Sequence, residues 1–148
     1  MKKMTSVIAI ILLAALLFAG CDVVPVQQDF SKYGFTFTIA GKVTEKEGNT
    51  FGDATFTTKY GQIAFAKYND FLVEGIKLTM ITAQYKEPVG DNATLYTFTA
   101  SEGKIRTCYL IEIADGSAWL ITVLTPEADY NKDALVKVFQ SVEFVTAS

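Results

Sequence analysis

The sequence predicts an α+β domain: an antiparallel β-sheet of about six to eight strands with a C-terminal helix packed on one face. Three observations predict this class. Apolar and polar residues alternate with a period of two through most of the chain, single glycines separate these runs, and one stretch near the C-terminus has helical spacing. A closed β-barrel with a terminal helix is the main alternative.

The start of the chain has the layout of a secretory signal. Lys2 and Lys3 are basic, and every residue from Val7 to Ala19 is apolar. The alternative is a membrane anchor, but the eighteen uncharged residues between Lys3 and Asp22 fall slightly short of the roughly 20 that a span needs. We therefore expect residues 1–20 to be a signal peptide.

The residues around Cys21 resemble the lipobox of bacterial lipoproteins, in which a small residue precedes a cysteine that is lipidated and becomes the mature N-terminus. Ala19 and Gly20 match this pattern, whereas Phe18 departs from it because an aliphatic residue usually stands there. The resemblance implies that Cys21 is the lipid attachment site and carries acyl chains such as palmitate. Each buried methylene contributes roughly 0.8 kcal/mol to membrane binding. We expect the protein at the extracytoplasmic face of a membrane in the cell envelope.

Residues 21–32 are expected to be a tether, and residues 33–148 a single domain rich in strands. The first strand of this domain is predicted in FTFTI (35–39), where apolar residues alternate with threonine. Later runs with many β-branched and aromatic residues predict further strands: ATFTTKY, QIAFAKY, IKLTMITAQY, ATLYTFT and KIRTCYLIEI.

In IKLTMITAQY, Ile76, Leu78 and Met80 would share one face of a strand. A short helical piece could precede it, over Tyr68 to Glu74, with Asn69 or Asp70 as its cap.

Three features in the second half of the domain refine this prediction. WLITVL (119–124) hardly alternates, which indicates a strand at the middle of the sheet, covered on both faces. Asp115 and Gly116 lie between two strong strands and signal a hairpin. Cys108 lies in an apolar run, so we expect a buried small hydrophobic residue and not a reactive thiol.

The predicted helix begins near Thr125, which would cap it, with Pro126 in its first turn. Leu135, Val138 and Phe139 recur at helical spacing, and this stripe is expected to be core. SVEFV (141–145) would close the domain as a last short strand.

The absence of histidine excludes several kinds of site. Ser-His-Asp and Cys-His catalytic arrangements need it, as do imidazole metal ligands. The glycines are scattered singly, so no phosphate-binding loop is present. The formal net charge is −3, and no run of Lys and Arg follows the signal segment, which argues against a nucleic-acid partner. We expect no catalytic, metal-binding or cofactor-binding residues.

Carboxylate pairs are the catalytic alternative that this composition still allows. The candidates are Asp70 with Glu74 and Glu87 with Asp91, although such charges in loops and at helix ends are usually only solvated. GDNA (90–93) could bind calcium weakly, but it lacks the alternating ligand spacing of a dedicated loop.

The order of motifs at the two ends resembles the PsbP-like domains. YGFTFTI (33–39) comes first, and WLITVL, YNKDALVKVFQ and SVEFV follow in that order near the C-terminus. The chain departs from the family at Ala40-Gly41, where proline is common, and at Val142, where an aromatic residue is usual. The resemblance implies a non-enzymatic binding or assembly role, and no site residue can be transferred from it.

Together these patterns predict a lipid-anchored extracytoplasmic binding or assembly module without catalytic activity. Its expected partners are the membrane, through the lipid at Cys21, and a protein or another envelope component. The alternative is a carrier of a small apolar ligand, in a barrel-like or sheet–helix pocket, because 13% of the residues are aromatic and such residues line pockets well. The same aromatic residues would equally serve to fill the core of the sheet.

Overall fold

A computed structural model describes residues 24–46, 53–99 and 101–145. They form two antiparallel sheets and two helices, which confirms the α+β class. The helices are α1 (Asp70–Thr79) and α2 (Lys132–Gln140). The strands are β1 (Pro25–Phe30), β2 (Phe35–Ala40), β3 (Thr44–Glu45), β4 (Ala54–Thr58), β5 (Gly61–Tyr68), β6 (Tyr85–Val89), β7 (Ala93–Thr99), β8 (Lys104–Glu112), β9 (Ala118–Pro126) and β10 (Glu143–Phe144).

The larger sheet has seven strands in the order β3-β4-β5-β9-β8-β7-β6. Strand β9, which contains WLITVL, is at its centre, as predicted. The hairpin that joins β8 to β9 turns at Asp115 and Gly116, as was also predicted, and Gly116 has a φ of +86°. The sheet is open, with β3 and β6 at its edges, so the closed-barrel alternative is wrong.

The smaller sheet has the order β1-β2-β10. The prediction of one sheet is therefore wrong: β2 pairs with β1 and β10, and its apolar face covers the larger sheet. Pro25–Phe30, which fall in the predicted tether, form β1 and pair with β2 along its whole length. The fold thus already includes these six residues.

The main core lies between one face of the larger sheet and a layer formed by the smaller sheet and α2. Aromatic rings fill it: the Phe35 and Phe65 rings stack with centroids 4.1 Å apart, and Phe30 lies 4.2 Å from Phe56. Leu135, the most buried residue of α2, is fully buried there. This confirms that the helical stripe is core and that aromatic residues fill the space between the layers.

Helix α1 lies against the opposite face of the larger sheet, in a second core. Val73 and Met80 pack there against Leu110 and Leu120. The prediction of a strand through Ile76, Leu78 and Met80 is therefore wrong, since this stretch continues the helix and a 3₁₀ turn (Met80–Thr82). The prediction of a C-terminal helix as the one clear helix is also wrong, because the longer of the two helices in the described residues is mid-chain.

Helix α2 begins later than predicted. Thr125 and Pro126 belong to β9, where they pair with Ile105 and Lys104. The helix cap is instead Asn131, whose Oδ1 accepts a hydrogen bond from the Ala134 N–H at 3.0 Å. The ladder of β8 and β9 therefore overrides a local start signal.

Candidate functional site

The residues singled out from the sequence are not brought together into one site. Cys21 and the predicted signal peptide lie outside the described residues, so lipid attachment stays a prediction.

Cys108 is 2% exposed, which confirms the prediction of a buried thiol. Burial raises its pKa, and the Thr122 hydroxyl and the Arg106 charge only partly oppose this shift. Such a thiol stays protonated and is a poor nucleophile.

Three of the four candidate carboxylates, those of Asp70, Glu74 and Glu87, are engaged in structural contacts. The Asp70 carboxylate accepts a hydrogen bond from the Phe71 N–H at 3.0 Å, and Glu74 pairs with Lys77 at 3.2 Å. Glu87 pairs with Lys132 at 2.6 Å. Within the three described ranges, no group of three or more Cys, Asp or Glu side chains is placed to hold a metal ion.

Helix α1 carries exposed apolar residues, and side-chain contacts hold this helix in place. Its first turn is fixed by Asn69, whose side-chain oxygen accepts a hydrogen bond from the Leu72 N–H at 3.2 Å. Lys77 joins the helix to the sheet through Glu112 on β8, and it also pairs with Glu74 within the helix. Hydrogen bonding to Glu112, and then to Glu74, raises the pKa of Lys77. Both ends of the helix are therefore held in place.

The outer face of α1 is apolar although it faces solvent. Phe71 is 88% exposed and Leu78 is 66% exposed. These two residues and Gly75 are spaced i, i+4 and i+7, so they share one side of the helix. Ile81, in the 3₁₀ turn that follows, is also exposed. We call Phe71, Gly75, Leu78 and Ile81 the outer face. Large exposed apolar residues placed together mark interaction surfaces.

Gly75 sits between the two exposed side chains of this outer face. A Cβ built at Gly75 would have no heavy atom within 4 Å, and its backbone has ordinary helical dihedral angles. Glycine within a helix is less stable than alanine by roughly 0.5–1 kcal/mol. Nothing in the fold of this chain therefore calls for a glycine at this position.

A groove of about 620 Å³ lies beside the outer face, between α1 and the strands β6 to β8. We call it the helix groove. Leu78 and Ile81 form one wall, and Lys86 and Tyr96 belong to the opposite side. Because Leu78 and Ile81 belong both to the groove and to the outer face, the two form one continuous surface.

A second groove, of about 330 Å³, lies on the same face of the larger sheet, beyond the end of α1. We call it the sheet groove. Met80 and Tyr68 border it, and Leu120, Leu124 and half-buried Thr122 belong to its floor on β9. Helix α1 covers only part of this sheet face, and the uncovered part is this groove.

Two polar side chains of the sheet groove are unusual. Thr55 is 7% exposed, and its hydroxyl makes no hydrogen bond within the described part of the chain. Leaving a buried hydroxyl without a partner costs about 1–3 kcal/mol. Arg106 lies over the Phe98 ring, 4.1 Å from its centroid, and pairs with no carboxylate among residues 24–46, 53–99 and 101–145.

Sequence patterns missed both surfaces. The helix that carries the outer face was not predicted over its full length, because Ile76, Leu78 and Met80 also fit the alternation of a strand. The cap at Asn69 was the sequence signal that could have predicted it. The sheet groove joins Thr55 and Arg106 from strands far apart in the chain, and no local signal points to it.

Comparison with models of known protein families finds no match for this chain, and comparison with curated proteins also finds none. The resemblances to lipoproteins and to PsbP-like domains therefore stay predictions. Of the two helices in the described residues, neither combines the length and the apolar character that crossing a membrane requires.

Proposed function

We propose that this chain is a lipid-anchored, extracytoplasmic binding module without catalytic activity, and that a partner protein docks on the outer face of α1. The observation that carries this proposal is the exposure of Phe71 and Leu78 on a helix whose inner face is already buried. Aromatic and aliphatic side chains at the centre of an interface supply most of its binding energy.

Gly75 supports docking by a closely packed partner. Without a side chain between Phe71 and Leu78, the outer face has a dip at the helix backbone. A partner side chain that enters this dip would contact both neighbours, which is how small residues allow close approach between helices. The fold itself gains nothing from glycine here, so a role in binding accounts for its presence.

Charges at the border of the outer face indicate the kind of partner. Asp70 is exposed and acidic in the first turn of this helix, whereas Glu74 already pairs with Lys77. The helix groove next to it offers room for a further apolar side chain. We therefore propose a partner surface that is apolar at its centre and has a basic residue at the part of its rim that faces Asp70.

The proposal also includes membrane attachment and a PsbP-like fold. The apolar segment before Cys21 supports lipid attachment, which would hold the outer face near partners in the envelope. The order of β2, β9, α2 and β10 follows the motifs on which the PsbP-like resemblance rests. That resemblance in turn supports a binding role over an enzymatic one.

Site-specific photo-crosslinking in membranes of the natural host tests the proposal. A benzophenone amino acid at position 71 is expected to give an adduct with one protein, whereas the same probe at Val26 is expected to give none. Val26 is a matched control because it is also exposed and apolar, but lies on β1 in the other layer. Mass spectrometry of the protein from the same membranes should give the mass of a chain that begins at Cys21 and carries acyl chains.

Substitutions at Gly75 separate binding from folding. Gly75→Ala should raise the free energy of unfolding by about 0.5–1 kcal/mol. Gly75→Leu should fill the dip and abolish the adduct from position 71 while the protein stays folded. Equal adducts from positions 71 and 26, or an adduct that survives Gly75→Leu, would contradict docking on the outer face. An intact, unlipidated chain would contradict only the anchoring.

A further inference from the structure

The sheet groove has the features of a ligand site, and it is separate from the outer face of α1. We infer that it binds a small anionic amphipath, a medium-chain carboxylate, with the carboxylate at Arg106 and the alkyl chain along the floor of the groove. The residues that carry this inference are Arg106 and the apolar side chains of β9. It does not depend on the proposed function, since a protein partner of α1 would not need this groove.

The floor of the groove follows from the register of four neighbouring strands. Thr55, Ala64, Thr122 and Cys108 are successive cross-strand partners on β4, β5, β9 and β8. Because directly paired residues point to the same side of a sheet, these side chains form one row. Ala64 is the small member of this row, and the space above it belongs to the groove.

The next row places a cation beside an apolar surface. Gln62, Leu124 and Arg106 are cross-strand partners, and all three line the groove. The guanidinium stacks on Phe98, which fixes its position without neutralising its charge. An arginine fork held in this way suits a carboxylate, which it can bind through two parallel hydrogen bonds.

Arg106 also lines an adjoining groove, of about 530 Å³, together with Lys104 and Glu102. The two cations outnumber the one carboxylate there, so the end of the sheet groove near Arg106 carries a net positive charge. This charge favours an anionic head group over a neutral or cationic one.

The apolar part of the ligand is indicated by the remaining walls. Leu120 and Leu124 form the floor on β9, and Met80 closes the side next to α1. Methionine adapts to ligands of irregular shape. The volume of about 330 Å³ is at the small end of the range for ligand sites, which suits a medium chain and not a long one.

Thr55 lies at the other end of the groove. Its hydroxyl is buried, lacks a partner in the described residues and belongs to a side chain that lines the groove. Thr55 is on β4 and Arg106 is on β8, three strand spacings or about 14 Å apart, so one carboxylate cannot contact both. The carboxylate of the ligand is therefore assigned to Arg106 alone.

Titration calorimetry with octanoate tests the inference. The full chain is held in nanodiscs of zwitterionic phospholipid, and empty nanodiscs provide the correction for partitioning into lipid. Octanoate is expected to bind with a stoichiometry of one. Octanol, which has the same chain length without the charge, is expected to bind at least tenfold more weakly.

Two variants and two controls locate the site. Ala64→Leu should abolish binding by filling the floor, and Arg106→Gln should weaken it about tenfold. Thr55→Val should leave the affinity for octanoate unchanged, because the carboxylate lies at Arg106, three strands away. Lys59→Gln removes a cation from the turn between β4 and β5, outside the groove, and should leave the affinity unchanged.

Several results would overturn the inference. Binding of octanol as tight as that of octanoate would show that Arg106 does not select an anion. Unchanged binding in the folded Ala64→Leu variant would place the ligand elsewhere. Loss of octanoate binding when phosphatidylglycerol replaces part of the nanodisc lipid would indicate a membrane lipid head group in the groove instead of a free carboxylate.

Discussion

The two faces of the seven-stranded sheet use the same kinds of residue for different purposes. On the covered face, Phe35 and Phe65 are fully buried between the two sheets. On the open face, α1 covers only part of the strands, and Phe71 on its outer side is 88% exposed. Burying a phenylalanine contributes roughly 1.5–3 kcal/mol, a gain that Phe71 does not provide in this chain alone.

Under the proposed function, this difference separates the residues for folding from those for binding within one small domain. The covered face has a continuous core that joins β2, β4, β5, β7, β8, β9 and α2. The open face has a smaller core and, next to it, three grooves and an apolar helix surface. Because the main core does not include α1, the open face can carry the proposed binding surfaces without disrupting that core.

The largest expected effect is a matched pair of Phe→Ala substitutions, one on each face. Phe35→Ala should lower the free energy of unfolding by about 3–5 kcal/mol, because it leaves a cavity against Phe65 and Trp119. Phe71→Ala should change the same quantity by less than about 0.5 kcal/mol, because the side chain is exposed. Urea denaturation followed by circular dichroism measures both.

The same two substitutions can also contradict the proposed separation of folding and binding between the two faces. Phe71→Ala is expected to weaken partner binding while Phe35→Ala leaves it intact in whatever fraction is folded. If Phe71→Ala instead destabilises the protein as much as Phe35→Ala does, the outer face of α1 is part of the fold in solution.

The two faces also differ in how much of their structure the sequence predicts. Two strands of the covered face were predicted from clear patterns. FTFTI alternates strictly and forms β2, and the apolar run WLITVL, which hardly alternates, forms the central strand β9. Pairing order and the split into two sheets were not predicted, since they depend on contacts between residues far apart in the chain.

The open face was predicted poorly for a physical reason. Val73, Ile76 and Met80 fit a helix, while Ile76, Leu78 and Met80 fit a strand equally well. Only the cap at Asn69 distinguishes the two, and its effect is local. The sheet groove was not predicted, because Thr55 and Arg106 line one groove only through the register of β4, β5, β9 and β8.

The helix caps give a second comparison of intermediate size. Asn69→Ala and Asn131→Ala each remove a side-chain hydrogen bond to the first turn, of α1 and α2 respectively. Each should cost about 1 kcal/mol in helix stability. Hydrogen exchange should show faster exchange confined to α1 for Asn69→Ala. Faster exchange should extend to the strands of the main core for Asn131→Ala, because α2 belongs to that core. Identical exchange patterns for the two variants would mean that α1 and α2 are equally coupled to the main core.

The smallest expected effects concern two ionic contacts, one for each face. On the covered side, Lys32 and Tyr33 bind Glu45 on β3, and the contact with Lys32, at 2.8 Å, is the larger cause of the lowered pKa of Glu45. On the open side, Glu112 is the main cause of the raised pKa of Lys77. Both contacts are solvent-screened, so their effect on stability is small.

The two contacts should fail at opposite ends of the pH range. A lowered carboxyl pKa stabilises the fold above the unfolded-state value near 4.5, and this contribution is lost as pH falls through the folded-state pKa. A raised lysine pKa stabilises the fold below about 10.5, and that contribution is lost as pH rises through the folded-state value. In NMR titrations, Lys32→Met should raise the pKa of Glu45, and Glu112→Gln should lower that of Lys77. If Glu112→Gln leaves the pKa of Lys77 unchanged, α1 is not held to β8 by this contact, and the open face is looser than the structure indicates.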